Sequence, residues 1–139
     1  MDIRLNRSSF SAVSVFLLFV SMIQPAVGES APKPDKSMEA YVTCAVYHRM
    51  MAGSFRRVRQ MPEMANIESE KMDEYIRLAK AAGEVEYGAE EGGDAEAEAA
   101  FLDAWNYDLK RMENKINRNY ENVSRLTYIY KNKCRKLIE

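Results

Sequence analysis

Cys44 and Cys134 are the chain's only cysteines and stand 90 residues apart. A bond between them would tie together two distant stretches, so whether they are joined constrains the fold more than any other feature. The answer depends on the compartment, and the first 28 residues speak to that. Arg4 and Arg7 give a basic start, Phe10 to Ile23 form an apolar run, Pro25 breaks it, and Ala26 and Gly28 are small residues placed for a signal peptidase. The run is shorter than the roughly 20 residues a membrane-spanning helix needs. Residues 1–28 are therefore expected to be a cleaved secretory signal peptide, and the protein to be exported, periplasmic or secreted. Thiols that reach an oxidising compartment are paired rather than kept reduced. Closing a loop of about 90 residues restricts the unfolded chain by roughly 4 to 5 kcal/mol in the chain-entropy model.

Losing Asp2, Arg4 and Arg7 takes the 20 basic and 21 acidic residues to 18 and 20, a net charge near −2. Nucleic-acid-binding domains carry a clear basic excess, so no nucleic acid is expected as partner. No second apolar run of spanning length follows, so no transmembrane segment is expected in the mature chain. Residues 29–37, with Pro32 and Pro34, read as a flexible leader. About 111 residues remain after cleavage, and residues 38–139 read as a single helical domain.

Ser37 is placed to cap a first helix running to about Met61. Tyr41, Cys44, His48, Met51, Phe55 and Val58 fall on one face of it. Pro62 lacks an amide proton and so ends or kinks this helix, sitting near the first turn of the next. The second helix is expected from about Glu63 to Ala82, with a weaker stripe of Met64, Met72, Tyr75, Ile76 and Ala79, and Gly83 as its C-terminal cap.

The stretch EVEYGAEEGGD, residues 84–94, holds three glycines and five acids and is the obvious turn. Asp94 would cap the last helical region, whose stripe from Phe101 through Trp105, Met112, Ile116 and Val123 to Tyr130, Cys134 and Leu137 meets no glycine or proline. Two arms folded back at the acidic turn place residue 44 opposite residue 132, which brings Cys44 within reach of Cys134. Pro62 then lies opposite residue 114, close to Asn117, Arg118 and Asn119, where a break in the last helix costs least. The fold expected is all-α: an antiparallel bundle of three to four helices, a long helical hairpin folded at residues 83–94, with one disulfide. The unbroken stripe favours a continuous last helix.

Cys44 and His48 are one turn apart and could be a nucleophile with its base. A disulfide leaves no thiolate, and no glycine-rich turn nearby suits an oxyanion hole. No catalytic residues and no cofactor are expected, and His48 reads as a packed ring beside a structural sulfur. His48, Met50, Met51, Met61 and Met64 lie within 17 residues and are soft donors suited to Cu(I). Met50 and Met51 diverge by about 100° on a helix, so they cannot both join His48. The expectation is no metal, with His48 and Met51 the candidates if a soft metal is carried. Asp103, Asp108, Glu113 and Glu121 read as exposed, since one histidine cannot supply the paired Glu-x-x-His motifs of bundle metal sites. Asn122, Val123 and Ser124 match the glycosylation triplet, relevant only to a eukaryotic secretory route.

Arg49, Arg56, Arg57 and Arg59 form a basic cluster, and Lys131, Lys133, Arg135 and Lys136 a second. Residues 84–103 carry eight acids and no base. Solvated faces and helix-dipole matching account for much of this. These eight basic residues are also the surface on which an acidic partner or anionic head groups would dock. The function expected is that of a non-enzymatic accessory, adaptor or inhibitor working by protein contact, with another protein or a second copy of itself as partner. A Cu(I) carrier and a peripheral envelope-surface binder are the alternatives.

Overall fold

A computed structural model describes residues 36–88 and 92–139, so the expected signal peptide and most of the leader lie outside the described residues. Four α-helices account for nearly all of them: α1 Met38–Arg57, α2 Pro62–Tyr87, α3 Gly93–Lys115 and α4 Ser124–Ile138, with a 3-10 turn at Tyr120–Val123 before α4. The fold is the expected all-α bundle.

Ser37 starts α1 as expected: its backbone is extended and its Oγ accepts from the Ala40 amide at 3.3 Å. A second orphan amide, Met38 N, donates to Glu86 Oε1 at 2.8 Å, so the end of α2 also caps the start of α1. α1 stops at Arg57, a few residues short of Met61, because the chain needs residues 58–61 to reverse direction. Gln60 has a positive φ of 53° there, and Pro62 opens α2, where its missing amide costs nothing. Val58, expected on the buried stripe, lies in this reversal and is exposed.

Side-chain pairs define the packing directions. Met38 meets Glu86 and His48 meets Glu68, so α2 runs antiparallel to α1. Thr43 meets Asp108 and Ser54 meets Tyr120, so α3 runs parallel to α1. Cys44 meets Cys134, Tyr47 meets Tyr130 and Met51 meets Thr127, so α4 is antiparallel. The result is an up-down-up-down bundle in which α1 packs against every other helix. Of its 20 residues 15 are buried, where an amphipathic helix would hide one stripe.

The disulfide joins Cys44 to Cys134 with a Cα separation of 5.4 Å, and both residues are fully enclosed. Beside it the Tyr75 hydroxyl donates to the Cys134 carbonyl at 2.6 Å. Burial, with Tyr41 nearby, pushes the Tyr75 hydroxyl up to about 12, so it remains a donor at any physiological pH. That bond spans a gap: the backbones of α2 and α4 do not pack on one another.

Three expectations are corrected. Gly83 does not cap α2 but lies inside it, buried, where a Cβ would come within 3.1 Å of Met38 Sδ. It is there to let α1 begin against α2. Asp94 does not cap α3: Gly92, left-handed at φ 95°, precedes the helix, and Gly93 fits because a Cβ would collide with the Tyr87 carbonyl. Asp94 and Glu96 serve its first turn by charge alone.

The last helical region is not continuous. Asn117 and Arg118 adopt left-handed φ values of 54° and 56°, and Asn119 caps the 3-10 turn through a bond from the Glu121 amide at 3.0 Å. Asn122 Nδ2 closes the corner on the Ile116 carbonyl at 3.1 Å, so the amide of the glycosylation triplet is engaged in holding the break. Ile116 and Val123 are both buried, so the apolar phase survives a corner that periodicity alone does not register.

Two outcomes test this architecture. A left-handed non-glycine residue costs about 1 to 2 kcal/mol, against roughly 0.5 to 1 for the chain entropy of glycine. Arg118→Gly should therefore raise stability in denaturant titration by up to about 1 kcal/mol, whereas a straight helix would lose about 1 kcal/mol from the same change. Replacing both cysteines by serine should lower stability by up to about 4 to 5 kcal/mol. In limited proteolysis the first new cut should then fall in α4.

Candidate functional site

The chemistry-bearing side chains sort into three concavities around α1. The first lies where α2 and α4 stand apart. His48 projects from α1, its ring stacked on Tyr75 at 5.3 Å and 12° and set against Tyr47 at 4.9 Å. Its Nδ1 meets Glu68 Oε2 at 2.6 Å, and the other oxygen of Glu68 accepts from Lys71 Nζ at 2.9 Å. Both His48 and Glu68 are buried. Burial alone would raise the Glu68 carboxyl, but the hydrogen bonds and charges of His48 and Lys71 outweigh it and hold the group below its ordinary value. A buried carboxylate persists only when paired in this way.

This geometry disposes of the cysteine–histidine dyad, because the Cys44 sulfur is bonded to Cys134 and the facing partner of His48 is a carboxylate. Glu68 was not singled out from the sequence. The signal was its phase: it stands four residues after Met64 and four before Met72, on the buried stripe of α2, where a charge demands a partner. Met51 and Met64 border the same cavity as His48, while Met50 is fully buried and Met61 is exposed at the α1–α2 reversal. The Met51 sulfur already takes a contact from the Thr127 hydroxyl at 3.4 Å. Among the described residues no group of three or more His, Cys, Asp or Glu side chains could hold a metal ion.

The second concavity, about 320 Å³, is bordered by Arg49, Arg56 and Arg57 with Tyr120 and Ser69. Ala52 and Gly53 line it from α1, and a Cβ on Gly53 would sit 2.6 Å from the Tyr120 ring and displace it. The guanidinium of Arg57 lies 5.1 Å over the Tyr120 ring, that of Arg49 5.5 Å over Trp105, and that of Arg59 5.3 Å over Phe55. Arg56 reaches Ser69 Oγ at 3.5 Å. No salt bridge to a described residue engages any of these four arginines.

The third concavity holds Asp108, which is buried, contrary to the exposed position expected of it. Its carboxylate accepts from Thr43 Oγ1 at 2.6 Å and pairs with Arg111 at 2.6 Å, linking α3 to α1. It too lies on a stripe, between Trp105 and Met112. Asp103 and Glu121 are exposed and Glu113 is half-buried. Of the second basic cluster, Lys131 and Arg135 border the first concavity, Lys133 borders the third and Lys136 borders none of the three. The structure therefore keeps Arg49, Arg56 and Arg57 together and spreads the α4 cations over separate faces.

A carboxylate held below its ordinary value of 4.5 contributes stability that is fully present above that pH and lost as pH falls through the lower folded value. Glu68→Gln should cost about 2 kcal/mol at pH 7, the range for hydrogen bonds to a charged group. The gap between variant and wild type in urea unfolding should narrow below about pH 4.5. A constant gap from pH 7 to pH 3 would mean that the carboxylate's charge adds nothing to the bundle.

With the geometry in place, comparison with known proteins adds no relative: no protein-family model, no curated protein and no solved structure matches the chain.

Proposed function

We propose that the protein is an exported, non-enzymatic module that acts by contact with an acidic partner protein, using the face formed by Arg49, Arg56 and Arg57. The observation that carries this reading is the convergence of three arginines on one concavity, with no carboxylate within salt-bridge distance of any of them among the described residues. Aromatic rings hold two of those three guanidinium groups in place, so less side-chain freedom is lost when a carboxylate arrives. Arginine with tyrosine and tryptophan is also the composition that protein contact sites favour.

Export rests on the leader reading and is supported by the disulfide, which an oxidising compartment maintains. Among the described residues no helix is long and apolar enough to cross a membrane. The Cu(I) carrier is the weaker proposal, because three cations, Lys71, Lys131 and Arg135, outnumber the one carboxylate, Glu68, around the cavity that holds His48, Met51 and Met64, a balance that disfavours a further cation.

The charge reversal Arg56→Glu with Arg57→Glu changes two exposed side chains and should leave the helical circular dichroism unchanged. Cross-linking in the native envelope should yield one defined adduct with the wild type. That adduct should fall at least tenfold in the variant and weaken steeply with salt. If the variant retains the adduct, or if the wild type instead floats with anionic vesicles at low salt, the protein-contact reading fails.

A further inference from the structure

The first concavity, between α1, α2 and α4, is separate from the arginine face and has a different chemistry. It is a half-open concavity of about 410 Å³. Because the backbones of α2 and α4 stay apart, α1 presents Met51 and Phe55 into the gap, Met64 closes it from α2 and Ile138 from α4. Three cations stand around it: Lys71 and, one turn apart on α4, Lys131 and Arg135. Lys71 is held by Glu68 and Arg135 by Glu139, while no described carboxylate pairs with Lys131. The polar part of the floor is already satisfied within the protein, since His48 and Glu68 bind one another. The space is thus mainly apolar within, with the paired Glu68 carboxylate on its floor, and basic at its edge.

Size decides between a helix and a small molecule. An α-helix about 10 Å across occupies on the order of 400 Å³ per turn, so the cavity would admit one turn, far short of the roughly 800 Å² per partner that a stable protein interface buries. It lies within the range of about 300 to 1,000 Å³ usual for small ligands. Charge selects the head group: with Lys71, Lys131 and Arg135 around the cavity against the one carboxylate of Glu68, an anionic head is attracted and a cationic head repelled.

We propose that this cavity binds a single-chain anionic amphiphile, its apolar tail against Met51, Phe55 and Met64 and its carboxylate on Lys131 and Arg135. The site does not depend on the arginine face, so the two readings stand or fall separately. Tail burial should dominate affinity, since each methylene removed from water is worth about fourfold in binding.

The test is titration calorimetry on the oxidised chain with dodecanoate, decanoate and dodecyltrimethylammonium, each below its micelle concentration. Dodecanoate should bind one per chain, about sixteenfold tighter than decanoate, which is two methylenes shorter, and at least tenfold tighter than the ammonium probe of the same tail. Lys131→Glu, at an exposed position, should weaken dodecanoate at least tenfold. Met64→Trp, which fills the cavity from its half-buried wall, should abolish binding with the helical signal intact. Arg56→Glu with Arg57→Glu should leave dodecanoate binding unchanged. Absence of saturable binding overturns the proposal. So does equal affinity for the acid and the ammonium probe, or a loss that follows the arginine pair instead of Lys131.

Discussion

The burial of α1 is the constraint from which the rest of the structure follows. A chain of this size has one modest core, and here the core is a single helix enclosed by the other three. Met38, Val42, Val46 and Met50 are almost completely removed from water, and so are the small residues Ala45 and Ala52 between them. Each outer helix then needs only a narrow apolar stripe. α4 meets that need with Leu126, Tyr130, Cys134 and Leu137, and its exposed surface mixes lysine, arginine and asparagine with Tyr128, Ile129 and Ile138.

Because α1 has hardly any exposed face, polar groups that fall on it must be satisfied by its neighbours. His48 is answered by Glu68 on α2 and Thr43 by Asp108 on α3. Each is a buried bond between two particular helices, and truncating either partner would strand the other. Such bonds are poor sources of net stability but select register, since a helix shifted by one residue cannot make them. Here they distinguish the α1–α2 and α1–α3 seams from each other, which apolar packing between alanine, methionine and tyrosine would do less sharply.

The helices, the proline reversal, the acidic turn and the pairing of Cys44 with Cys134 could all be read in the sequence, because periodicity, proline chemistry and chain length fix them. The folded-back arms placed residue 44 opposite 132, close to the observed 134, since bending both arms leaves α1 beside α4 and α2 beside α3. The place of the corner, at Asn117 to Asn119, was legible as the cheapest point for a break, but the apolar stripe favoured a continuous helix and the break itself was not read. Ile116 and Val123 keep the apolar phase on both sides, and the left-handed residues that turn the chain are an asparagine and an arginine rather than glycine. Glu68 and Asp108 were legible only in retrospect: a charge on an apolar stripe predicts a buried partner, but which helix supplies it is a tertiary fact. The second basic cluster is contiguous in sequence and dispersed in space because Lys131, Lys133, Arg135 and Lys136 point around three sides of one helix.

The disulfide and the cavity are two consequences of one gap. In a closed four-helix ring each helix rests on two neighbours, but α1 occupies the centre here, and α4 is left with α1 and a short contact to α3, without α2. A 15-residue helix with so narrow an apolar stripe is marginal on its own. The Cys44–Cys134 bond and the hydrogen bond from Tyr75 to the Cys134 carbonyl supply the attachment that α2–α4 packing would otherwise give. They do so at one level of the bundle, so further along the same seam α2 and α4 remain apart and the faces of Met51, Phe55 and Met64 stay open between them. Noncovalent packing strong enough to hold α4 would have filled that space. A covalent tie fixes the helix while leaving the space beside it available to a ligand.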